Sequence, residues 1–135
     1  MLIIRPQLVN EYIEKVNLHC VRLLCEVEAE CQAYGCGVEI TRIGATTDDQ
    51  IKICKEIGVP YYQSLHEVLN AIDAIPYGKY EPGMPEFISG KINALYPYGK
   101  EGHVSVLWHM GTGLHWHIQA NPVIYGVGRW TLKNT

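Results

Sequence analysis

Apolar side chains recur at steps of three and four from Val9 through Ile13, Val16, Cys20, Leu24, Val27, Cys31 and Tyr34. That is the period of one helical face, and it predicts a long amphipathic helix over about residues 6–33. Pro6 suits its first turn, and Gly35 or Gly37 can supply the left-handed residue that ends it. Gly37-Val38-Glu39-Ile40-Thr41 alternates and is rich in branched residues, which predicts a strand. Thr47-Asp48-Asp49-Gln50 then resembles a capping box opening a short helix to Ile57, closed by Gly58. Pro60 to Leu65 reads as an extended segment, and Ala71 to Ile75 as a second strand. The stretch from Pro76 to Pro85, with Gly78, Pro82 and Gly83, reads as a loop. A helix follows from Glu86 to Leu95, with Phe87, Ile88, Ile92 and Leu95 facing inward. His103 to Trp108 and Leu114 to Ile118 read as strands joined by a glycine-rich hairpin turn, Met110-Gly111-Thr112-Gly113. The fold expected is α+β: a small antiparallel sheet packed against helices on one side, with a site at the open edge of the sheet.

Composition narrows what this fold can do. With 135 residues, 47% of them hydrophobic and 19% charged, the chain has the size of one globular domain, expected over residues 1–135. Its net charge of −3 and scattered Lys and Arg give no basic stripe for nucleic acid. Five cysteines without a CxxC pair argue against a disulfide framework or a cysteine-rich zinc site, and they read as reduced, mostly buried thiols. The opening Met-Leu-Ile-Ile-Arg-Pro lacks the basic region and long apolar core of a signal peptide. No run of about 18 apolar residues spans a membrane. Synthesis in a reducing cytoplasm is therefore expected.

The chemistry sits in two short pieces, Ser64-Leu65-His66-Glu67-Val68-Leu69-Asn70-Ala71-Ile72-Asp73 and Leu114-His115-Trp116-His117-Ile118-Gln119. Side chains alternate along a strand, so Leu114, Trp116 and Ile118 should pack while His115, His117 and Gln119 face the other way. Alternating histidines also suit a half-exposed sheet face that binds nothing. Catalytic zinc takes three protein ligands at roughly 2.0 to 2.2 Å and leaves a fourth position open. His66, Asp73 and one of His115 and His117 would meet that need.

The order Ser64-x-His66, Asp73, then His115-x-His117, after a long helix and a strand ending near Arg42, resembles the zinc D-alanyl-D-alanine carboxypeptidases and peptidoglycan endopeptidases. That family includes many phage endolysins and shares its fold with the Hedgehog signalling domain, and the likeness runs over roughly residues 18–120. It implies a Hedgehog-like fold and a zinc metallopeptidase that hydrolyses peptide bonds in bacterial cell-wall peptidoglycan. His66, Asp73 and His117 would hold Zn2+, and His115 would stabilise the oxyanion or shuttle protons. Arg42 would clamp a substrate carboxylate, and Ser64 would support the site. Zinc lowers the pKa of its water towards about 7 and polarises the scissile carbonyl, so no protein nucleophile is needed. The protein would then act at the cell wall.

Some positions differ from the family. Leu69 stands where glycine is common, Thr41-Arg42-Ile43-Gly44 only loosely matches the family's arginine turn, and Leu114 replaces an acid often found three residues before the last ligand. His115 is thus the first choice of base, with Glu67, Glu86 and Glu101 as unranked alternatives. Two other functions stay open: a metal-binding or metal-free recognition module of the same fold, and a thiol hydrolase using Cys20 or Cys54 with His103 and His115. Elsewhere, His103 reads as a strand-edge residue and His109 as a solvated one. His19 lies on the long helix without an evident partner. Trp108 and Trp116 read as core, Trp130 as either core or a stacking surface, and Gln119 as a residue that could orient a ligand.

Overall fold

The computed structural model describes residues 2–4, 13–111 and 113–128, and its first helix begins later than the apolar pattern predicts. Helix α1 spans Leu18–Ala33, and the Asn17 side chain accepts a hydrogen bond from His19 N at 2.9 Å. This cap satisfies a donor that a helix start leaves free. Residues 13–16 form a turn and a bend instead of helix. The expected helical stretch from Pro6 through Val9, like Trp130, lies outside the described residues. Gly35, at φ 77°, turns the chain after the helix as anticipated.

Five strands form one sheet in the order β1-β2-β3-β5-β4: β1 (Leu2–Ile4), β2 (Gly37–Arg42), β3 (Ala71–Tyr77), β4 (Val106–Met110) and β5 (Leu114–Gln119). Four of them pair antiparallel, as expected. The edge strand β1, which the sequence reading left out, runs parallel to β2. Pro76 and Tyr77 continue β3 instead of opening a loop, and β4 starts at Val106, not His103.

Alternation along the strands assigns the two faces. Val38, Ile40, Ile72, Ala74, Trp116 and Ile118 are fully buried in one core with Cys20, Leu23, Leu24 and Val27 of α1. Helix α3 (Met84–Leu95) closes this face, contributing Met84, Ile88 and Ile92 to the core. Lys91 Nζ lies 3.0 Å from Glu30 Oε1 and fixes α3 against α1. Phe87 and Leu95, expected inward, are 60% and 66% exposed, because α3 buries the stripe Met84, Ile88, Ile92 and its flanks stay outside. Trp116 donates to Pro85 O at 3.1 Å, which seats the largest core side chain.

Helix α2 (Thr47–Ile57) does not join that layer. It buries only Gln50 and Cys54, and Gln50, Ile53 and Ile57 line a cavity on the opposite side of the sheet. The helices therefore do not all lie on one side, and the cavity occupies a face of β3, β5 and β4, not the sheet edge. Thr46 and Asp49 form the capping box of α2, one residue earlier than expected, and Gly58 at φ 75° ends it. A four-residue helix, α4 (Pro122–Tyr125), follows β5. No helix among the described residues is long and apolar enough to cross a membrane.

Candidate metal centre

Three different elements carry the candidate ligands to one point. His66 sits on a 3-10 turn, Leu65–Val68, whose start is fixed twice: Ser64 Oγ accepts from His66 N at 3.1 Å, and Glu67 Oε2 accepts from Ser64 N at 2.6 Å. Leu69 ends the turn at φ 58°, the one non-glycine residue with positive φ among those described. That left-handed conformation crowds any Cβ, and it falls at the position where the resembled family commonly has glycine. The backbone here thus has the shape a glycine would ease, while the fully buried Leu69 side chain holds it through packing. β3 starts two residues later and brings in Asp73, which lies directly opposite His117 of β5 in the antiparallel register.

The geometry around Asp73 is close. His66 Nε2 and His117 Nδ1 lie 3.2 and 3.1 Å from the same oxygen, Asp73 Oδ1, and His115 Nε2 lies 3.6 Å from it. One ligand atom from each of His66, Asp73 and His117 falls within 4.8 Å of the other two, so this group could hold a metal ion. His66 and Asp73 are buried, and His117 is half-buried.

Tautomers decide what these atoms present. His66 Nδ1 is 2.8 Å from Ile43 O, and a carbonyl only accepts, so Nδ1 carries the hydrogen. In the neutral ring Nε2 is then a bare lone pair, buried and without a hydrogen-bond partner, aimed at a carboxylate oxygen. Two acceptors at 3.2 Å repel unless a cation lies between them. His115 Nδ1 is likewise 2.7 Å from Gly113 O, which turns its Nε2 lone pair towards Asp73. Burial alone would raise the Asp73 carboxyl pKa, but when the rings of His66 and His117 are protonated, their charges and the hydrogen bonds they then donate outweigh it and hold Asp73 well below the usual carboxylate range. The residues present fit a divalent cation: two imidazoles and an ionised carboxylate, with the outer nitrogen of one ligand already fixed by a backbone carbonyl.

A cavity of about 840 Å³ opens over this group, within the size range of small-molecule sites. His66, Asp73, His115 and His117 lie in its lining, together with apolar walls from Ile53, Ile57, Leu107 and Leu114. Arg42 and Ser64 line it too. Among the described residues Arg42 is the one Lys or Arg in that lining, and its Nη2 lies 3.5 Å from Gln50 Oε1. The hydroxyl of Ser64 accepts from the backbone of His66, so it helps to position a ligand. Gln119 lines the cavity as well, and its Nε2 donates to Val104 O, which ties β5 to the segment before β4.

The alternative acids do not reach the cavity. Glu67 is buried with both oxygens engaged, one by Ser64 N and one by Tyr61 Oη at 3.1 Å. Glu86 is exposed on α3, the helix that packs the other face, and Glu101 is exposed outside the lining. Asp73 is thus the one carboxylate among the described residues that line the cavity. The cysteines offer no nucleophile there either: Cys20 and Cys54 are buried and outside the lining, and burial pushes the Cys20 thiol up to about 12.

His109 is where sequence reasoning failed. It is half-buried, faces His115 across the β4–β5 pair, and lines the cavity. Its Nε2 is enclosed without a partner. Burial, then His115 and His117, lower its pKa. His103 stacks on Tyr98 at 5.5 Å, outside any strand. His19 stacks on Tyr125 at 3.7 Å, a partner the sequence did not reveal. No protein-family model, no curated protein and no solved structure matches the chain.

Proposed function

We propose that the chain is a zinc-dependent metallopeptidase that hydrolyses peptide bonds of bacterial cell-wall peptidoglycan. One observation carries the reading: His66, Asp73 and His117 converge beneath an open cavity, with His115 turned towards them by its hydrogen bond to Gly113. A closed structural site would use a fourth protein ligand, whereas a catalytic one keeps a position free. Bound zinc would supply a water acidic enough to attack near neutral pH and would polarise the scissile carbonyl.

The chain's own residues supply the rest. His115 holds a basic nitrogen beside Asp73, and an imidazole exchanges protons near neutrality, so it takes the proton of the attacking water. The guanidinium of Arg42 is the cavity's fixed positive charge and suits a carboxylate of the substrate. Ile53, Ile57, Leu107 and Leu114 offer apolar contact to the aliphatic parts of a peptide and exclude water from the reacting group.

The experiment pairs metal analysis with digestion of purified peptidoglycan. The parent should retain about one zinc per chain and release peptide ends, His117→Ala should lose both, and His115→Ala should keep the metal and lose rate. A parent that retains no metal, or a His117→Ala variant as active as the parent, refutes the reading. Two histidines and one carboxylate also suit iron(II), so both metals are assayed. Among the described residues no second carboxylate lines the cavity. This favours one other reading, a metal-binding recognition module, which zinc retention without turnover on any wall peptide would establish.

A further inference from the structure

We propose that His109 is a further catalytic residue: its Nε2 hydrogen-bonds the reacting oxygen that enters the cavity above His66, Asp73 and His117. The inference rests on the reading of that group as a metal centre, and it adds a second histidine on the open side.

Four observations point the same way. The β4–β5 register sets His109 directly opposite His115, so the two side chains leave the same face of the sheet. Their rings lie 4.7 Å apart, and the His109 ring lies 5.9 Å from that of His117, edge on in both cases. His109 Nε2 is shielded from solvent and has no hydrogen-bond partner. A buried imidazole nitrogen left unpaired is unfavourable, and an oxygen that reached it from the cavity would relieve that. Finally, Asp73 is the one carboxylate in the lining among the described residues, and its Oδ1 is crowded by nitrogens of three histidines at 3.1 to 3.6 Å. No other carboxylate lines the cavity among the described residues, and the histidines of the lining besides His66 and His117 are His103, which is exposed and stacks on Tyr98, His115 and His109. His115 is directed at Asp73 by its own hydrogen bond to Gly113, whereas His109 Nε2 has no partner.

The division of labour follows. His115 takes the proton from the attacking water as the new C–O bond forms. His109 donates a hydrogen bond to the oxygen of the scissile carbonyl, whose negative charge grows as that bond forms. When the C–N bond breaks, the proton held by His115 passes to the leaving amine. The sum is peptide plus water giving a carboxylic acid and an amine, with both histidines returned to their starting state.

The test uses the full chain loaded with cobalt(II), with acetohydroxamate as the probe, because a hydroxamate places an oxygen at an open metal position and needs no turnover. His109→Gln and His109→Phe are compared with the parent by visible absorption, with far-UV circular dichroism to check folding. The Phe variant should bind cobalt within about threefold of the parent and acetohydroxamate at least tenfold more weakly, the loss expected when one hydrogen bond to a charged group is removed. The Gln variant, which keeps a donor at about the same reach, should recover part of that affinity. Hydroxamate affinity unchanged in both variants overturns the proposal. So does cobalt affinity falling in both as far as in His117→Ala, which would make His109 a metal ligand. A parent that takes up no cobalt overturns the metal reading itself and this inference with it. If the Phe variant does not fold, the Gln variant decides, since unchanged hydroxamate affinity together with unchanged pH dependence of binding then overturns the proposal.

Discussion

A ligand group that exists only in the folded chain must couple metal binding to stability. His66 Nε2 and His117 Nδ1 meet one oxygen of Asp73 at 3.2 and 3.1 Å, yet the three residues come from a turn after α2 and from two separate strands, so unfolding disperses them. A cation that binds the folded form alone adds about 2.7 kcal/mol of stability at a hundredfold excess over its dissociation constant. Unfolding entropy is roughly 2.1 cal/mol/K per residue, hence about 0.3 kcal/mol per degree for 135 residues. The melting temperature should therefore rise by about 9 °C between EDTA-treated protein and protein with hundredfold zinc, and by about 5 °C for each further tenfold. The assay is thermal melting by circular dichroism in a Cys25→Ser background, because Cys25 is the exposed thiol that would otherwise compete for a soft metal. His117→Ala should remove most of the shift. Equal melting temperatures with zinc and with EDTA, or an undiminished shift in His117→Ala, would show that the three side chains do not act as one ligand set.

Three further predictions follow from the same geometry. Asn70 is fully buried, donates to Ala120 O and Gly126 O, and accepts from Gly128 N; Asn70→Ala should cost about 3–5 kcal/mol in urea unfolding, and a loss below 1 kcal/mol would contradict its role in clasping residues 120–128 to the start of β3. Native protein treated with iodoacetamide at neutral pH should gain a single adduct, at Cys25, since Cys20, Cys31, Cys36 and Cys54 are buried and burial pushes the Cys20 and Cys31 thiols up to about 12; mass spectrometry showing adducts at Cys20 or Cys54 would restore the thiol reading. A Cβ on Gly111 would lie 2.8 Å from His115 Cε1, in a ring already tethered to Gly113. Gly111→Ala should thus swing His115 aside and lower peptidoglycan hydrolysis about a hundredfold while metal affinity stays within about twofold, whereas a variant as fast as the parent would remove His115 from the reaction.

Much of this site was legible because it rests on local patterns. The alternation in β5 identified Trp116 and Ile118 as packing and His115, His117 and Gln119 as facing the cavity, since a strand has a period of two, but Leu114 at its start, expected to pack, is half-exposed and lines the cavity. The turn before β3 was not anticipated, although the four-residue pattern from Ser64 to Glu67 that caps it stands in the sequence. The start of α1 was not legible in the same way. Ile13 and Val16 keep the helical step, but the period records burial and not hydrogen bonding, and it is the Asn17 side chain that decides where the helix begins. β1 was missed because three residues carry no period at all. The convergence of His66 with Asp73 and His117 depends on contacts far apart in the chain, and only the resemblance to a known family anticipated it.

The case of His109 shows how small the missing information can be. A turn drawn over Met110 to Gly113 pairs position 109 with 114 instead of with His115, and neighbouring positions of a strand alternate between faces, so that pairing sets His109 apart from the histidines. The structure instead pairs Met110 with Leu114, which shortens the connection to residues 111–113 and sets His109 opposite His115. A one-residue slip in register exchanges the two faces of a strand, and here it separates a solvated surface histidine from one that faces the candidate metal group. What the sequence lacks at this point is only the length of the turn. Gly111 helps to fix it, because its backbone N–H donates to Gly113 O at 3.2 Å, closing the connection over the carbonyl that also anchors His115. The same carbonyl thus joins the turn, the register and the orientation of His115. A change of turn length by one residue should therefore disturb His109 and His115 together, while His66, Asp73 and His117, which are set by the β3–β5 pair and the capped turn, keep their positions.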